Sequence, residues 1–519
     1  MSKKIYLANW FEKNKNKIVM PNIQRNFVWR EKQVEKLFDS INKGYFIGMF
    51  WIWKPSKASE LEKVGYWQLL KYYNSKETIK ATDLNIQDKI GVLDGQQRLS
   101  AISIGLYGSY NERKLYFNTE CKRNENPFKF LDEHQAGKGF FKVGDILIGN
   151  KQLDPKFREF KNKFQKALFI SHEVNGDIGE ITDIFERVNK GGTSLSNSQV
   201  LLSRLTAKPE WGKDGRKKLE NLRRKIEKEF EISIDYEFIM KTSLFLSGET
   251  IKFKANQGIT DKIDKSLDVI YKNWNRIEKA ILRMAGKINQ LGFSDKNITS
   301  DSALIPLVYI FYKNKKRSDD EIKEYLFRSF LKRIYGKSTD TTLLKVRNII
   351  DKNKSNSLGS ILKNDLFVLS AHDISEILDF KKSKYSKLAL MILYDDYNYS
   401  EKDFDQDHMH PHSIFENKDG LIEKLQKERI TKIRAEQCFI EWRTKKDRLP
   451  NLEMLHARKN KEKNKSSLEA YWNKHKKALN REDHFLKQNT SLLLRDFDNF
   501  YKTRERKMRE KLKKYFKVR

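Results

Sequence analysis

Cysteine is scarce in this 519-residue chain: only Cys121 and Cys438 occur, too far apart in sequence to suggest a disulfide framework or a zinc site. No run of 18 apolar residues exists, and the N-terminus lacks the apolar core of a signal peptide. A reducing cytoplasm and no membrane anchor are therefore expected. A Walker A pattern is missing too, so any nucleotide hydrolysis would proceed without a P-loop. No internal repeat or low-complexity tract stands out, and the length suits two to four domains with real cores. Negative charge is in deficit: 70 Asp and Glu stand against 104 Lys and Arg, a formal net charge of +34. That balance is typical of proteins that meet phosphate backbones. A chain rich in Lys and Asn also arises from an AT-rich genome, so placement of the charge weighs more than its total. Residues 421–519 hold 30 Lys and Arg against 14 Asp and Glu, a net of +16, so nearly half the excess lies in the last fifth of the chain.

The segment most informative about chemistry borders that basic region. Asp407-His408-Met409-His410-Pro411 is followed by Pro450-Asn451-Leu452-Glu453-Met454-Leu455 and then by Asn460. A carboxylate beside a histidine, with carboxamides on a later turn and helix, supplies a base and ligands for one hard metal ion. Phe404 to Met409, closed by Pro411, reads as a brief strand, Leu449 to Leu455 as a second, and Ala457 to Trp472 as a helix. Alternation places Asp407 and His408 on different faces unless a bulge re-aims one of them. His410 and His412 share the parity of His408, which raises a zinc-binding histidine trio; Pro411 breaks that strand and no cysteine lies near. The series resembles the ββα-metal (HNH) nuclease motif, which runs Asp-His-x-x-Pro, then Asn-Leu, then an Asn in the helix. The resemblance implies that His408 is the general base, that Asp407 and Asn460 hold Mg2+ or Mn2+, and that Asn451 orients the His408 ring.

A second signature lies in the N-terminal half. Lys89-Ile90-Gly91-Val92-Leu93 reads as a buried strand, Asp94-Gly95-Gln96-Gln97-Arg98 as a turn, and Leu99 to Tyr107 as a helix of small and apolar residues. A strand, a polar glycine turn and a helix N-terminus offer N–H groups and a positive dipole end to an anion, and Arg98 adds a forked donor. Phosphate is the natural ligand. Pro21 to Trp29 precedes an amphipathic helix with Val34, Leu37, Phe38 and Ile41 on one face, stopped by Gly44, and then an apolar strand from Ile47 to Trp53. Ile184 to Leu195 leads into Ser196-Asn197-Ser198-Gln199, a capping box. Arg25 and Arg98 are also of the type that pairs with buried carboxylates. Phe27 and Trp29 read as core anchors.

Taken together, Ile23-Gln24-Arg25, Leu93 to Arg98 and Phe185 to Leu195 resemble the ParB/sulfiredoxin-like N-terminal domain of the GmrSD family of modification-dependent (type IV) restriction enzymes. In that family the C-terminal domain is an HNH nuclease, and the order of domains here matches. The resemblance implies that Asp94, Gly95, Gln96, Gln97 and Arg98 serve a nucleotide site, and that Gln24 and Arg25 line a pocket for nucleotide or modified DNA.

The expected architecture is multidomain α+β. Residues 1–205 form the ParB/sulfiredoxin-like nucleotide-binding and DNA-sensing domain, 206–387 a helical connector, and 388–519 the HNH nuclease with a basic C-terminal helix. In the connector, Ile263, Leu267, Ile270, Trp274 and Ile277 recur at helical spacing, Ala303 to Tyr312 is compactly apolar, and Tyr335 to Thr342 reads as a loop. The terminal helix carries Met508, Leu512 and Phe516 and either tracks a DNA backbone or docks on the nuclease. The expected activity is metal-dependent cleavage of modified phage DNA in prokaryotic defence, regulated by a nucleoside triphosphate (GTP, ATP or other). Double-stranded DNA and nucleotide are the expected partners, with homo-oligomerisation open. The competing readings are a nucleotide-regulated DNA-binding effector whose HNH segment is inactive, and a toxin-like RNase.

Overall fold

The computed structural model describes residues 2–22, 24, 26–55, 61, 66–74, 88–122, 125–148, 155–176, 180–181, 184, 201–202, 205, 215–248, 260–314, 317–352, 358–401, 403–463, 466–476 and 479–518. Ile23, Arg25 and the segment 185–199 lie outside them. The chain divides into two compact units, Met1–Glu220 and Asn221–Arg519. The fold is mixed α+β, with helices predominating and several small sheets.

In the first unit, β1 (Ser2–Tyr6), β2 (Ile18–Pro21), β3 (Met49–Trp53), β4 (Tyr66–Gln68), β5 (Ile90–Asp94) and β6 (Leu168–Val174) build a mixed sheet in the order β1-β6-β3-β5-β2-β4. The β6/β3 and β5/β2 pairs are parallel and the other three antiparallel. Two helices matter for the site. α1 (Glu31–Asn42) buries Val34, Leu37, Phe38 and Ile41, the face its spacing foretold, and Gly44 follows at φ +76°. α2 (Gln96–Tyr107) is buried nearly all round, which explains its small and apolar composition. Both helices contribute to one continuous core that includes Phe27, Phe50, Leu99, Phe128 and Phe160, with Trp29 packed against it. Because β5 is flanked by β3 and β2, the turn that leaves it emerges in the interior of the sheet rather than at an edge.

In the second unit, α3 (Tyr236–Ser247), α4 (Thr260–Gln290) and α5 (Ile305–Tyr312) pack together. Ile263, Leu267, Ile270, Trp274 and Ile277 are the buried stripe of α4. The loop expected over Tyr335–Thr342 ends at Ser338, because Thr339 already opens the helix Thr339–Lys352. Further along come α6 (Asp319–Leu331), α7 (Lys384–Leu393), β7 (Phe404–His408), α8 (Lys432–Lys445), β8 (Leu452–His456), α9 (Ala457–Lys463), α10 (Leu468–Lys474) and α11 (Phe497–Phe516). β7 and β8 form an antiparallel ribbon with Asp407 opposite Glu453 and His408 opposite Leu452. Two boundaries differ from expectation. Leu449–Asn451 is a 3-10 turn, because Pro450 favours a helical start over a strand, and the helix expected over Ala457–Trp472 is two helices. Ser467 restarts the second by accepting a hydrogen bond from the Ala470 amide.

The terminal helix α11 docks rather than standing free. Phe497, Phe500, Met508, Leu512 and Phe516 are buried, and Arg504, fully buried, donates from Nη2 to the Leu452 carbonyl at 2.7 Å. A charged side chain inside the protein thus holds the backbone at the start of β8.

Candidate active site

The strand alternation sets the site's geometry. Asp407 and His408 leave β7 on different faces, and each meets a distinct set of partners. His408 Nε2 lies 2.9 Å from Asp447 Oδ1, which belongs to the turn between α8 and the 3-10 segment. A carboxylate only accepts, so the ring donates from Nε2 and Nδ1 keeps its lone pair. Burial pulls the His408 imidazole below its ordinary value, against the opposing bond to Asp447, so the neutral, proton-accepting form prevails near pH 7. The His412 ring sits 5.3 Å from that of His408, with its Nε2 3.6 Å from the same Asp447 oxygen. Lys446, beside Asp447, pairs with Glu416.

On the other face, one ammonium gathers both strands. Lys463, at the end of α9 and 1% exposed, donates to Asp407 Oδ2 at 2.6 Å, to the His408 carbonyl at 2.6 Å and to Glu453 Oε1 at 2.7 Å. The cross-strand pair Asp407/Glu453 would otherwise set two carboxylates side by side. His484 Nδ1 approaches Glu453 Oε2 at 3.0 Å. Burial pushes the Glu453 carboxyl up, but Lys463 and His484 outweigh it and hold the group well below the usual carboxylate range. Asp407 Oδ1 has no hydrogen-bond partner among the described residues.

Asn460 is half-buried on α9, three residues before Lys463, and residues at that spacing are neighbours on a helix face. Asp407 and Asn460 offer a carboxylate and a carboxamide oxygen, donors that fit a hard divalent ion completing its shell with water and phosphate. No group of three or more His, Cys, Asp or Glu that could hold a metal occurs among the described residues. The histidine trio is not assembled, since His410 is buried against Phe497 and Phe500, at 5.3 and 4.7 Å between ring centroids.

Asn451 does a different job from the one expected. Rather than touching the His408 ring, its side chain accepts from the His410 amide at 3.0 Å and donates to the Lys446 carbonyl at 2.7 Å and the His410 carbonyl at 3.2 Å. It is fully buried, and it braces the chain that leaves β7 against the turn bearing Asp447. A carboxamide carries both donors and an acceptor, so it can satisfy backbone of both polarities at once. Ring orientation falls to Asp447, which sequence reasoning missed, together with Lys463, Glu453 and His484. The available signal was helical: Lys463 follows Asn460 by one turn.

The N-terminal turn is also built from its own polar residues. Gly95 at φ +90° caps α2, and an added Cβ would lie 2.1 Å from a ring carbon of Phe50. Gln24 donates to the Val92 carbonyl at 3.0 Å and to the Leu93 carbonyl at 2.5 Å. Gln97 accepts from the Val28 amide at 2.9 Å and donates to the Asn26 carbonyl at 3.1 Å. Arg98 donates to the carbonyls of Ile47 at 2.8 Å and Met49 at 2.9 Å, with Asp94 Oδ2 at 3.4 Å. Burial lowers its pKa, partly offset by Asp94. Asp94, Gly95, Gln96, Gln97, Arg98 and Gln24 are thus brought together, and most of their visible bonding braces the turn. Arg25 falls outside the described residues.

A mixed sheet with this braced turn, in a chain that also carries a two-stranded ribbon with a buried histidine, is the setting for a family likeness confined to the N-terminal part of the chain. Residues 7–206 of the 519 match the family described as "GmrSD restriction endonuclease, N-terminal domain". That match supports an endonuclease role with DNA as substrate. The chain is also similar to an uncharacterized protein of Methanocaldococcus jannaschii, 22% identical over 438 residues, covering 72% of each chain. Among the described residues no helix is long and apolar enough to cross a membrane.

Proposed function

We propose that the segment 388–519 is an HNH nuclease that hydrolyses DNA phosphodiesters with one divalent metal ion. The observation carrying this reading is the buried His408 ring, with Nε2 2.9 Å from Asp447 Oδ1, on the first strand of a ribbon followed by a helix. His408 Nδ1 takes the proton of an attacking water, and Asp447 stabilises the imidazolium that results. Asp407 and Asn460 would hold Mg2+ or Mn2+, which supplies charge neutralisation at the phosphate and the leaving oxygen. Asn451 keeps the two halves of the site in register through the backbone.

In the test, supercoiled plasmid is incubated with the wild-type chain and with His408→Ala, in Mg2+ and in Mn2+. A fall of about 10²- to 10⁴-fold in nicking is expected for the variant. Equal activity in both proteins removes His408 as the base.

One observation favours the competing effector with an inactive nuclease segment: the Lys463 ammonium already neutralises Asp407 Oδ2. Intact plasmid with either metal and with modified DNA present would establish that competitor. Degradation of tRNA but not duplex DNA would instead point to a toxin-like RNase.

The family match over residues 7–206 supports the further reading of recognition of modified DNA and control by a nucleoside triphosphate, with the Gly95 turn as the nucleotide site. Arg98 is a poor probe, since its loss unclasps β3. Asp94→Ala is better, because the carboxylate is partly exposed and meets Arg98 at 3.4 Å. NTP turnover equal in this variant and the wild type removes Asp94 from the site.

A further inference from the structure

α4 carries a line of cations with a ligand-sized hollow at one end. At 100° per residue, Lys265, Lys272, Arg276, Lys279 and Arg283 fall within an arc of about 60°, and all five are exposed. Asp268 borders the first two. From Arg276 onward the arc holds no carboxylate, since Glu278 projects from a different side and Lys287, next in line, is paired with Asp319 at 2.9 Å. Arg276, Lys279 and Arg283 make no ion pair with any described residue. They open onto a surface cavity of about 370 Å³ that Phe311, Tyr312 and Asn314 complete, with no carboxylate in its lining.

The two arginines are held by neutral groups. Arg276 lies over the Tyr312 ring at 4.2 Å and donates one Nη2 bond to the Tyr312 carbonyl at 2.9 Å. Arg283 donates from Nη1 to Asn314 Oδ1 at 2.8 Å and lies 5.5 Å over Phe311. Each guanidinium has five N–H groups, so each keeps most of its donors for a ligand. The carbonyl end of α5 contributes roughly half a negative charge, which leaves more than two positive charges around the hollow. Nearby, Arg317 is drawn down to about 10 by burial, with the field of Arg283 adding to it. Some lysines elsewhere do pair with carboxylates, as in Lys43–Asp39, Lys54–Glu173 and Lys142–Glu133.

We propose that Arg276, Lys279 and Arg283, with the cavity at the end of α5, form a binding site for the phosphate backbone of duplex DNA. Seven residues separate Arg276 from Arg283, about 10 Å along the helix, which matches roughly three phosphate-to-phosphate steps of one strand at about 3.4 Å of axis each. The site reads no bases, so it takes modified and unmodified duplex alike. The choice of DNA as ligand rests on the endonuclease reading; the site itself rests on the arginines and the cavity.

The test measures binding of an unmodified duplex to the full chain in EDTA across a range of salt, so that no cleavage is needed. Two triple variants are compared: Arg276→Gln/Lys279→Gln/Arg283→Gln, and a charge-matched control, Lys43→Gln/Lys54→Gln/Lys142→Gln. The first is expected to flatten the slope of log K against log salt by about 2.7 and to weaken binding more than 10-fold at low salt. The control keeps the wild-type slope. An unchanged slope in the first variant, an equal loss in the control, or wild-type binding confined to RNA each overturns the proposal. Failure of plasmid nicking with the slopes behaving as expected would remove the nuclease reading and leave this site standing.

Discussion

At the level of single side chains, buried charge governs the ββ ribbon. Lys463 neutralises two carboxylates at once, so Lys463→Met should cost about 3–5 kcal/mol by stranding them. Lys463→Met/Glu453→Gln should recover part of that, as read by urea denaturation. A single variant as stable as the wild type would mean that the cluster is relaxed by water. His410 gives the ribbon an acid-sensitive spot. Burial, reinforced by the positive fields of Lys463, Lys424 and Arg504, pulls its imidazole down to about 3. With the unfolded value near 6.5, the neutral ring contributes stability that is fully present above pH 6.5 and lost as pH falls toward 3. At pH 5 the loss is about 2 kcal/mol. His410→Leu should flatten the dependence of the melting temperature on pH over that window. An unaltered profile would place the acid sensitivity elsewhere.

At the scale of elements, turns carry more of the site than regular structure does. Asp447 and Asn451 both sit in the connection between α8 and β8, and they aim the ring of His408 and tie down the exit of β7. Asp447→Asn should lower nicking about 10- to 100-fold with little change in stability, because the partly exposed carboxylate is replaced by an isostere. Loss of folding instead of activity would reassign it to structure. In the first unit, Gly95 allows β5 to pass into α2 against the face of Phe50. Gly95→Ala adds strain at positive φ and a clash with the ring, for about 2–4 kcal/mol, measurable as a drop in thermal stability. A smaller effect would show that Phe50 yields. The 3-10 turn at Leu449 and the break at Ser467 were hidden for a local reason: short helices are decided by capping bonds and tertiary contacts more than by composition.

At the scale of the whole molecule, the net charge of +34 and the proposed nuclease segment divide electrostatics and chemistry between different parts of one problem. In the proposed reading, charge brings a polyanion to the surface and the ribbon would cut it. Removing metal with EDTA should therefore abolish cleavage while leaving salt-dependent duplex binding intact. Loss of both together would make the metal a structural requirement. For the terminal helix, whose sequence left open tracking a DNA backbone or docking on the nuclease segment, Arg504 and the apolar stripe favour docking. The unopposed cations lie on α4, whose sequence drew notice only for its apolar stripe.

By itself the sequence determined what local chemistry can encode. That covers the apolar periods of α1 and α4, the strand, turn and helix around Gly95, and the Asp407-His408 pair on a strand that separates their faces. Tertiary structure alone decided the partners. Whether Asn451 aims a ring or braces a backbone, which carboxylate fixes His408, and which ammonium sits on Asp407 depend on contacts between segments 39 to 56 residues apart. Spacing along a chain specifies which residues can share a face, but burial and hydrogen-bond geometry, set by how those faces meet, specify what each residue does there.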